Sequence, residues 1–133
     1  MKMYVVFAME SIKKMGGNRG KLAAMAGHGF LHSYWDSEDR FTQKYLWNND
    51  GTPKLDNNDE YRASGRATKV CLVVDTVDEL KALYEAYKPI CGVSLVTDAG
   101  LTCFDGPTTT CLGIGPISED KVGRDLSKLR VLI

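Results

Sequence analysis

The sequence predicts an α/β fold, because short strand-like runs alternate with segments of helical composition. Four apolar runs, most of them rich in β-branched residues, occupy positions 4–9, 70–74, 93–97 and 108–114. Such an alternation is typical of layered α/β proteins. The chain has 133 residues, of which 44% are hydrophobic and 26% charged. This length fits one compact domain over 1–133, and the composition excludes collagen-like and wholly disordered chains.

The first third of the chain predicts one strand and two helices. Residues 4–9 form a strand buried on both faces, and Gly16-Gly17-Asn18 then breaks the chain. Helices are predicted over 19–34 and 37–47. The first helix has a flank of small residues, which indicates that another element packs very close to it: Ala23, Ala24, Ala26, Gly27 and Gly29. The second helix carries Phe41, Tyr45 and Trp47 on its apolar stripe.

Residues 48–60 are polar and rich in turn formers, so they predict a surface loop inserted into the domain. Their aspartates raise the alternative of a calcium site. However, the spacing of acidic side chains that a calcium loop requires is absent. We therefore interpret the segment as a solvated loop.

The second half predicts the remaining strands and helices. A helix follows the strand at 70–74, capped by Asp75 or Thr76 and ended by Pro89. The strand at 93–97 comes next, and the strand at 108–114 ends at Gly115-Pro116. A last helix over 118–126 and a short strand over 129–133 complete the chain.

Charge, cysteines and hydropathy exclude several classes of protein. Lysine plus arginine number 17, as do aspartate plus glutamate, so a nucleic-acid partner needs a local basic patch. The longest early apolar run has six residues, too few for a membrane span or a signal peptide. A cytoplasmic location with reduced thiols is expected. The four cysteines form no C-x-x-C pair, which argues against a zinc site or any other metal, and Cys71 and Cys111 fit as core residues.

The first cluster of candidate functional residues is the segment that begins Gly20-Lys21 and ends at His28. Lys21 falls in the first turn of its predicted helix, where free backbone N–H groups also favour an anion. His28 is two turns later and shares a face with Lys21. The alternatives are a solvated surface lysine and a histidine that packs between helices.

The second and third clusters follow the predicted third strand and open the fourth. Asp98 can act as a general base or orient a water, and Thr102 can donate a hydrogen bond. A simple turn capped by Asp98 is the alternative. The threonines that begin the fourth strand, Thr110 among them, are also ordinary strand formers. Neither a dinucleotide-binding fingerprint nor a serine-hydrolase elbow is present.

The three clusters together resemble the archaeal and eukaryotic type of peptidyl-tRNA hydrolase. The matches are Gly20-Lys21-x-Ala23-Ala24 with His28, Asp98-Ala99-Gly100-x-Thr102, and Thr110-x-Leu112-Gly113-Ile114-Gly115-Pro116. The resemblance covers about residues 2–34 and 68–133. It implies a three-layer α/β/α sandwich around a mixed four-stranded sheet, and a homodimer in the cytoplasm.

The resemblance also implies an activity and the residues that carry it. The activity is hydrolysis of the ester between a peptide and tRNA, with no cofactor. The family's catalytic residues correspond to Lys21, Asp98, Thr102 and Thr110, and its histidine to His28. Asp98 would activate or orient water, and Lys21 would stabilise the oxyanion or bind the terminal phosphate. Six basic residues are candidates for salt-sensitive tRNA contacts: Lys13, Lys14, Arg19, Arg62, Arg66 and Lys69.

Several positions depart from the family pattern. Met25 and Cys103 replace glutamines, Leu101 replaces an arginine, and Gly29 replaces an alanine. An Asp-Leu pair that is common after the first strand appears as Glu10-Ser11. These departures leave an alternative open, a non-catalytic relative that binds RNA or a protein partner. Hydrolysis of a different ester or amide is a third, more remote reading.

Overall fold

A computed structural model describes residues 1–42, 46–98 and 107–132. Its centre is a five-stranded mixed sheet in the order β3-β4-β1-β2-β5. The strands are β1 (Lys2–Ala8), β2 (Lys69–Val74), β3 (Val93–Asp98), β4 (Thr108–Ile117) and β5 (Arg130–Val131). β1 pairs in parallel with β2 and antiparallel with β4, while β3 is antiparallel to β4. β1, β2 and β3 therefore all run in the same direction.

Helices cover both faces of the sheet, as alternate residues of β1 show. Val5 and Phe7 face a core shared with Ile12 and Met25 of the helices α1 (Met9–Lys14) and α2 (Arg19–Phe41). Tyr4, Val6 and Ala8 face the opposite core. That core contains side chains of α4 (Val77–Tyr87) and α5 (Arg124–Ser127). This arrangement confirms the α/β/α sandwich.

The prediction of a four-stranded sheet is wrong, because the sheet has five strands. β5 pairs with β2 through Leu72↔Val131 and Val73↔Arg130 and so extends the sheet. The short strand predicted at 129–133 is therefore real. In place of one helix over 118–126, a 3₁₀ turn (Glu119–Lys121) precedes the four-residue helix α5.

One continuous helix, α2, replaces the two helices predicted over 19–34 and 37–47. No proline or glycine interrupts positions 30–41, and Ser33 and Ser37 are buried where the helix passes over Gly92. The predicted second helix is also too long. Residues 43–45, including Tyr45, lie outside the described part of the chain, and Trp47 forms an isolated bridge with Pro53.

The small flank of α2 makes its close contact at one residue. Gly29 lies against Val5 and Gly113, so that a Cβ on Gly29 would come 2.8 Å from a methyl of Val5. Ala23, Ala24 and Gly27 are exposed instead, which corrects the prediction that the whole flank is packed.

Two helices were not predicted. α1 follows β1 directly, and α3 (Asn57–Ala63) occupies the end of the segment expected to be a loop. Asp56 begins α3 through a capping box with Asp59, which stabilises the first turn although the segment is polar. The buried Asn58 donates to the Tyr34 carbonyl, so α3 is fixed against α2. Within the described ranges, no helix combines the length and apolar character that crossing a membrane demands.

Candidate active site

The carboxyl ends of three strands meet at one edge of the sheet. Because β1, β2 and β3 run in the same direction, Ala8, Val74 and Asp98 all lie at this edge. The first residue of β4, Thr108, is the register partner of Asp98. The amino end of α2 reaches the same edge, since Met25 and Gly29 pack on Cys111 and Gly113 along β4. The fold thus brings the first and second sequence clusters together.

Lys21 and Asp98 form an ion pair at this edge. The Lys21 Nζ lies 2.7 Å from Asp98 Oδ2, with the lysine side chain 20% exposed and the aspartate side chain 8% exposed. Such a pair is largely withdrawn from water, so its attraction is stronger than that of a surface ion pair. The lysine favours the charged form of the carboxylate. Its own side chain, one-fifth exposed, is the part of the pair that keeps contact with solvent.

The first turn of α2 fixes where Lys21 lies. The Asn18 side chain accepts a hydrogen bond from the Lys21 backbone N–H at 3.0 Å and so caps the helix. A lysine in the first turn opposes the helix dipole, an unfavourable interaction that Asp98 offsets. The neighbouring residues Arg19 and Gly20 are exposed. The exposed end of α2 can therefore also receive an anion.

Thr110 occupies an irregular position in β4, beside the part of β3 that leads to Asp98. The β3–β4 register passes from Val96↔Cys111 to Thr97↔Thr109, which leaves Thr110 as the extra residue of a bulge. Its side chain is fully buried, and its hydroxyl donates to the Val96 carbonyl at 3.2 Å. Thr110 thus holds the backbone two residues before Asp98 and does not itself face solvent.

The two remaining expected site residues, Thr102 and His28, lie in different parts of the chain from the pair. Thr102 lies in 99–106, outside the described residues, together with Leu101 and Cys103. His28 is exposed and lies about 10 Å along α2 from Lys21. Its ring stacks on His32 with the centroids 5.6 Å apart, and His32 stacks on Trp35 at 5.5 Å.

The six basic candidates form two separate groups. Lys13 and Lys14 end α1 and Arg19 begins α2, so these three lie at the edge that holds Asp98. Arg62, Arg66 and Lys69 lie at the opposite edge, because Lys69 pairs with Met3 at the start of β1. Seven residues of β1 separate the two edges, a distance of about 20 Å. The Lys69 ammonium lies over the rings of Phe30 and Tyr61.

Three residues that support this edge were not identified as functional from the sequence. Glu10 accepts a hydrogen bond from the Val77 N–H and so ties α1 to the start of α4. The Ser11 hydroxyl donates to the Thr109 carbonyl at 2.7 Å. With Asn18, these contacts fix the elements that carry the ion pair. Glu10 and Ser11 could have been identified from the sequence, because they stand where the family commonly has an Asp-Leu pair.

Met25, another departure, belongs to the core rather than to the open site. Its side chain is 6% exposed and packs with Phe7 and Val96. Cys111 packs there too, and burial raises the pKa of its thiol to about 12, which excludes it as a nucleophile at neutral pH. Cys71, expected in the core, is only partly buried. In the described ranges no group of three or more histidine, cysteine, aspartate or glutamate side chains is placed to hold a metal ion.

Comparison with known proteins gives one consistent family. The family described as Peptidyl-tRNA hydrolase PTH2 matches residues 1–132. A protein named peptidyl-tRNA hydrolase from Methanothermobacter thermautotrophicus is 34% identical over 129 residues, covering 96% of this chain and 97% of the relative. One of the same name from Methanopyrus kandleri is 33% identical, covering 86% and 87%. A third, from Methanocaldococcus jannaschii, is 26% identical over 133 residues, covering 99% and 100%.

Proposed function

Because this chain belongs to the peptidyl-tRNA hydrolase family described above, its activity is hydrolysis of the ester in peptidyl-tRNA, and we propose that the Lys21–Asp98 pair carries it out. The single observation behind this assignment is the 2.7 Å contact between these side chains at the edge where the parallel strands end. Nothing in the described part of the chain favours the non-catalytic alternative.

The pair supplies the two groups that ester hydrolysis by water requires. Asp98 accepts a proton from a water molecule, whose oxygen attacks the ester carbonyl carbon. The Lys21 ammonium stabilises the negative charge that develops on the carbonyl oxygen. When the bond to the ribose oxygen breaks, that oxygen takes the proton from Asp98, and the peptide leaves as a carboxylic acid that releases its own proton to the solvent. No cofactor enters these steps.

Thr110 acts as a positioning residue in this proposal. Its hydroxyl holds the Val96 carbonyl at the bulge in β4, two residues before Asp98. Bulges near active sites commonly re-aim a side chain. Thr102 keeps the role that the resemblance implies, in placing water or the ribose, and His28 corresponds to the family's histidine, to which the resemblance gives no defined role.

The experiment measures release of an N-acetylated amino acid from tRNA. We expect Lys21→Ala and Asp98→Asn each to reduce kcat/KM at least about tenfold, which equals about 1.4 kcal/mol of transition-state stabilisation. The matched control is Lys2→Ala, which removes an exposed ion pair of the same 2.7 Å length, Lys2–Glu119, at the opposite edge. If the folded Lys21 and Asp98 variants behave like this control, the assignment of the pair is wrong.

The proposal includes binding of the tRNA at the edge that holds the pair. Lys13, Lys14 and Arg19 are exposed there, next to the open end of α2. Phosphate groups are attracted both by these side chains and by the helix end. A cytoplasmic location follows, since peptidyl-tRNA is a product of translation.

The proposal also includes a homodimer. It is supported by an apolar groove of about 470 Å³ between α2 and α3, lined by Met3, Phe30, Leu31, Tyr34 and Tyr61 among others. Leu31 is 45% exposed, and a contiguous apolar surface of this kind often marks a protein interface. Sedimentation velocity checks it: Leu31→Glu should produce monomers at concentrations where the parent chain is a dimer.

A further inference from the structure

We propose that a row of exposed side chains along α2, here called the aromatic row (His28, His32 and Trp35), binds the peptide part of the substrate. The inference rests on the proposed function, because it takes Lys21 and Asp98 as the position of the ester. It assigns a separate role to residues that the chemistry at the ester does not use.

The aromatic row is continuous with the ion pair. At 100° per residue, positions 28, 32 and 35 fall within about 40° of position 21 around the helix axis. The three rings form a single stack, with centroid distances of 5.6 and 5.5 Å and interplanar angles of 29° and 22°. Trp35 is 50% exposed, and both histidines are exposed. The stack is therefore a preformed aromatic surface that leads away from the ester.

The distribution of charge indicates which half of the substrate lies on this surface. The amino end of α2, which carries Lys21, is also where the cations of this edge lie: Lys13, Lys14 and Arg19. At the other end of the row, the exposed Asp39 lies one turn beyond Trp35 and on the same side of the helix. Phosphates are attracted to the first end and repelled from the second. The tRNA therefore takes the basic edge, and the peptide takes the row.

The length of the row predicts how the effect depends on peptide length. Trp35 is fourteen residues from Lys21, which is about 21 Å along the helix. An extended peptide of about six residues covers the same distance. A single acylated amino acid does not reach the row, whereas a hexapeptide passes over all three rings. Asp39 then lies close to the free amino group of a peptide about eight residues long.

The experiment measures affinity for tRNA analogues whose terminal ribose carries the peptide through an amide, so that binding is determined without turnover. One analogue carries a single N-acetylated residue and the other a hexapeptide of apolar residues. The double variant His32→Ala with Trp35→Ala should weaken binding of the hexapeptidyl analogue about threefold to tenfold. Binding of the short analogue should change by less than about twofold. The control is Trp47→Ala, which removes the other exposed indole of this chain outside α2.

Each other outcome overturns the inference in a recognisable way. If the double variant weakens both analogues and uncharged tRNA equally, the row binds unpaired bases of the RNA. If neither analogue is affected while circular dichroism shows native helix content, the row has no part in substrate binding. Failure of the proposed function is seen separately, as hydrolysis that does not depend on Lys21 and Asp98.

Discussion

Gly113 of β4 lies directly under Gly29 of α2, and a Cβ on Gly113 would overlap the carbonyl oxygen of Gly29. The helix and the strand therefore touch through their backbones. This contact sets the distance between α2 and the sheet. That distance determines where the Lys21 ammonium meets the Asp98 carboxylate. The two glycines are thus part of the active-site geometry although neither has a side chain.

Gly113→Ala should therefore lower both stability and activity. The new methyl group must push α2 away from β4, and we expect the free energy of unfolding to fall by about 1–3 kcal/mol. Urea unfolding measures this effect. Gly27→Ala is the control, because a Cβ there has nothing within 4 Å; on the exposed side of the helix it should stabilise by about 0.5–1 kcal/mol. Equal behaviour of the two variants would contradict the close backbone contact.

Thr110→Val should reduce kcat more than it affects KM. Valine keeps the shape of the side chain but removes the donor to the Val96 carbonyl, which weakens the constraint on Asp98. Loss of the bond should lower stability by about 1–2 kcal/mol. Thr110→Ser retains the hydroxyl and should retain most of kcat. If serine and valine variants lose activity equally while both remain folded, the hydroxyl does not position Asp98.

The free energy of unfolding should depend on pH through the carboxylate of Asp36. Burial alone would raise the pKa of Asp36, but hydrogen bonds from Arg40 and from the Val93 N–H outweigh it and hold the pKa below the ordinary 3.8. The contribution to stability is therefore present above about pH 4 and is lost as the pH falls through the lower, folded value. At pH 7, Asp36→Asn should cost about 1–3 kcal/mol. This difference from the parent chain should shrink in unfolding experiments as the pH is lowered below about 4.

Two thiols should resist alkylation in the folded protein. Burial raises the pKa of Cys91 and of Cys111 to about 12, so almost no thiolate is present at about pH 8. Iodoacetamide labelling followed by peptide mass spectrometry should leave both unmodified until denaturant is added. Rapid labelling of Cys111 under native conditions would mean that the core between β4 and α2 opens frequently.

The salt dependence of tRNA binding should separate the two basic groups. Changing Lys13 and Lys14 to glutamine should reduce the slope of log affinity against log salt by about 0.7–0.9 for each phosphate that these side chains no longer neutralise. The same change at Arg62 and Arg66, at the opposite edge, should leave the slope unchanged. Filter binding between about 50 and about 300 mM salt measures both slopes, and a reduced slope for the second pair would extend the tRNA across the sheet.

The sequence predicts the sandwich because its signals are local and strong. The burial of β1 on both faces and the Thr76 cap of α4 follow from patterns within a few residues. The helix α3 was not predicted because its formation depends on tertiary contacts. Its capping residue and its buried Asn58 look like loop residues until Tyr34 and Ser37 are brought beside them.

The site shows the same division between local and distant information. Motifs identify Lys21 and Asp98, but their contact requires the helix and the strand to be packed together. The bulge that buries Thr110 is a property of the register between two strands and cannot be read from either strand alone. The six basic residues likewise fall into two groups because they lie at opposite edges of the sheet, and their order in the chain does not show this.

The position of β1 has a consequence for how this chain is made. β1 precedes the other four strands in this sequence and becomes the middle of the sheet, where Val6 pairs with Leu72 on one side and Leu112 on the other. Synthesis must therefore pass β4 before the strand has both neighbours. Until then an apolar strand with one open edge is exposed to other nascent chains. A chain that stops before β4 therefore leaves its central strand with one unpaired edge.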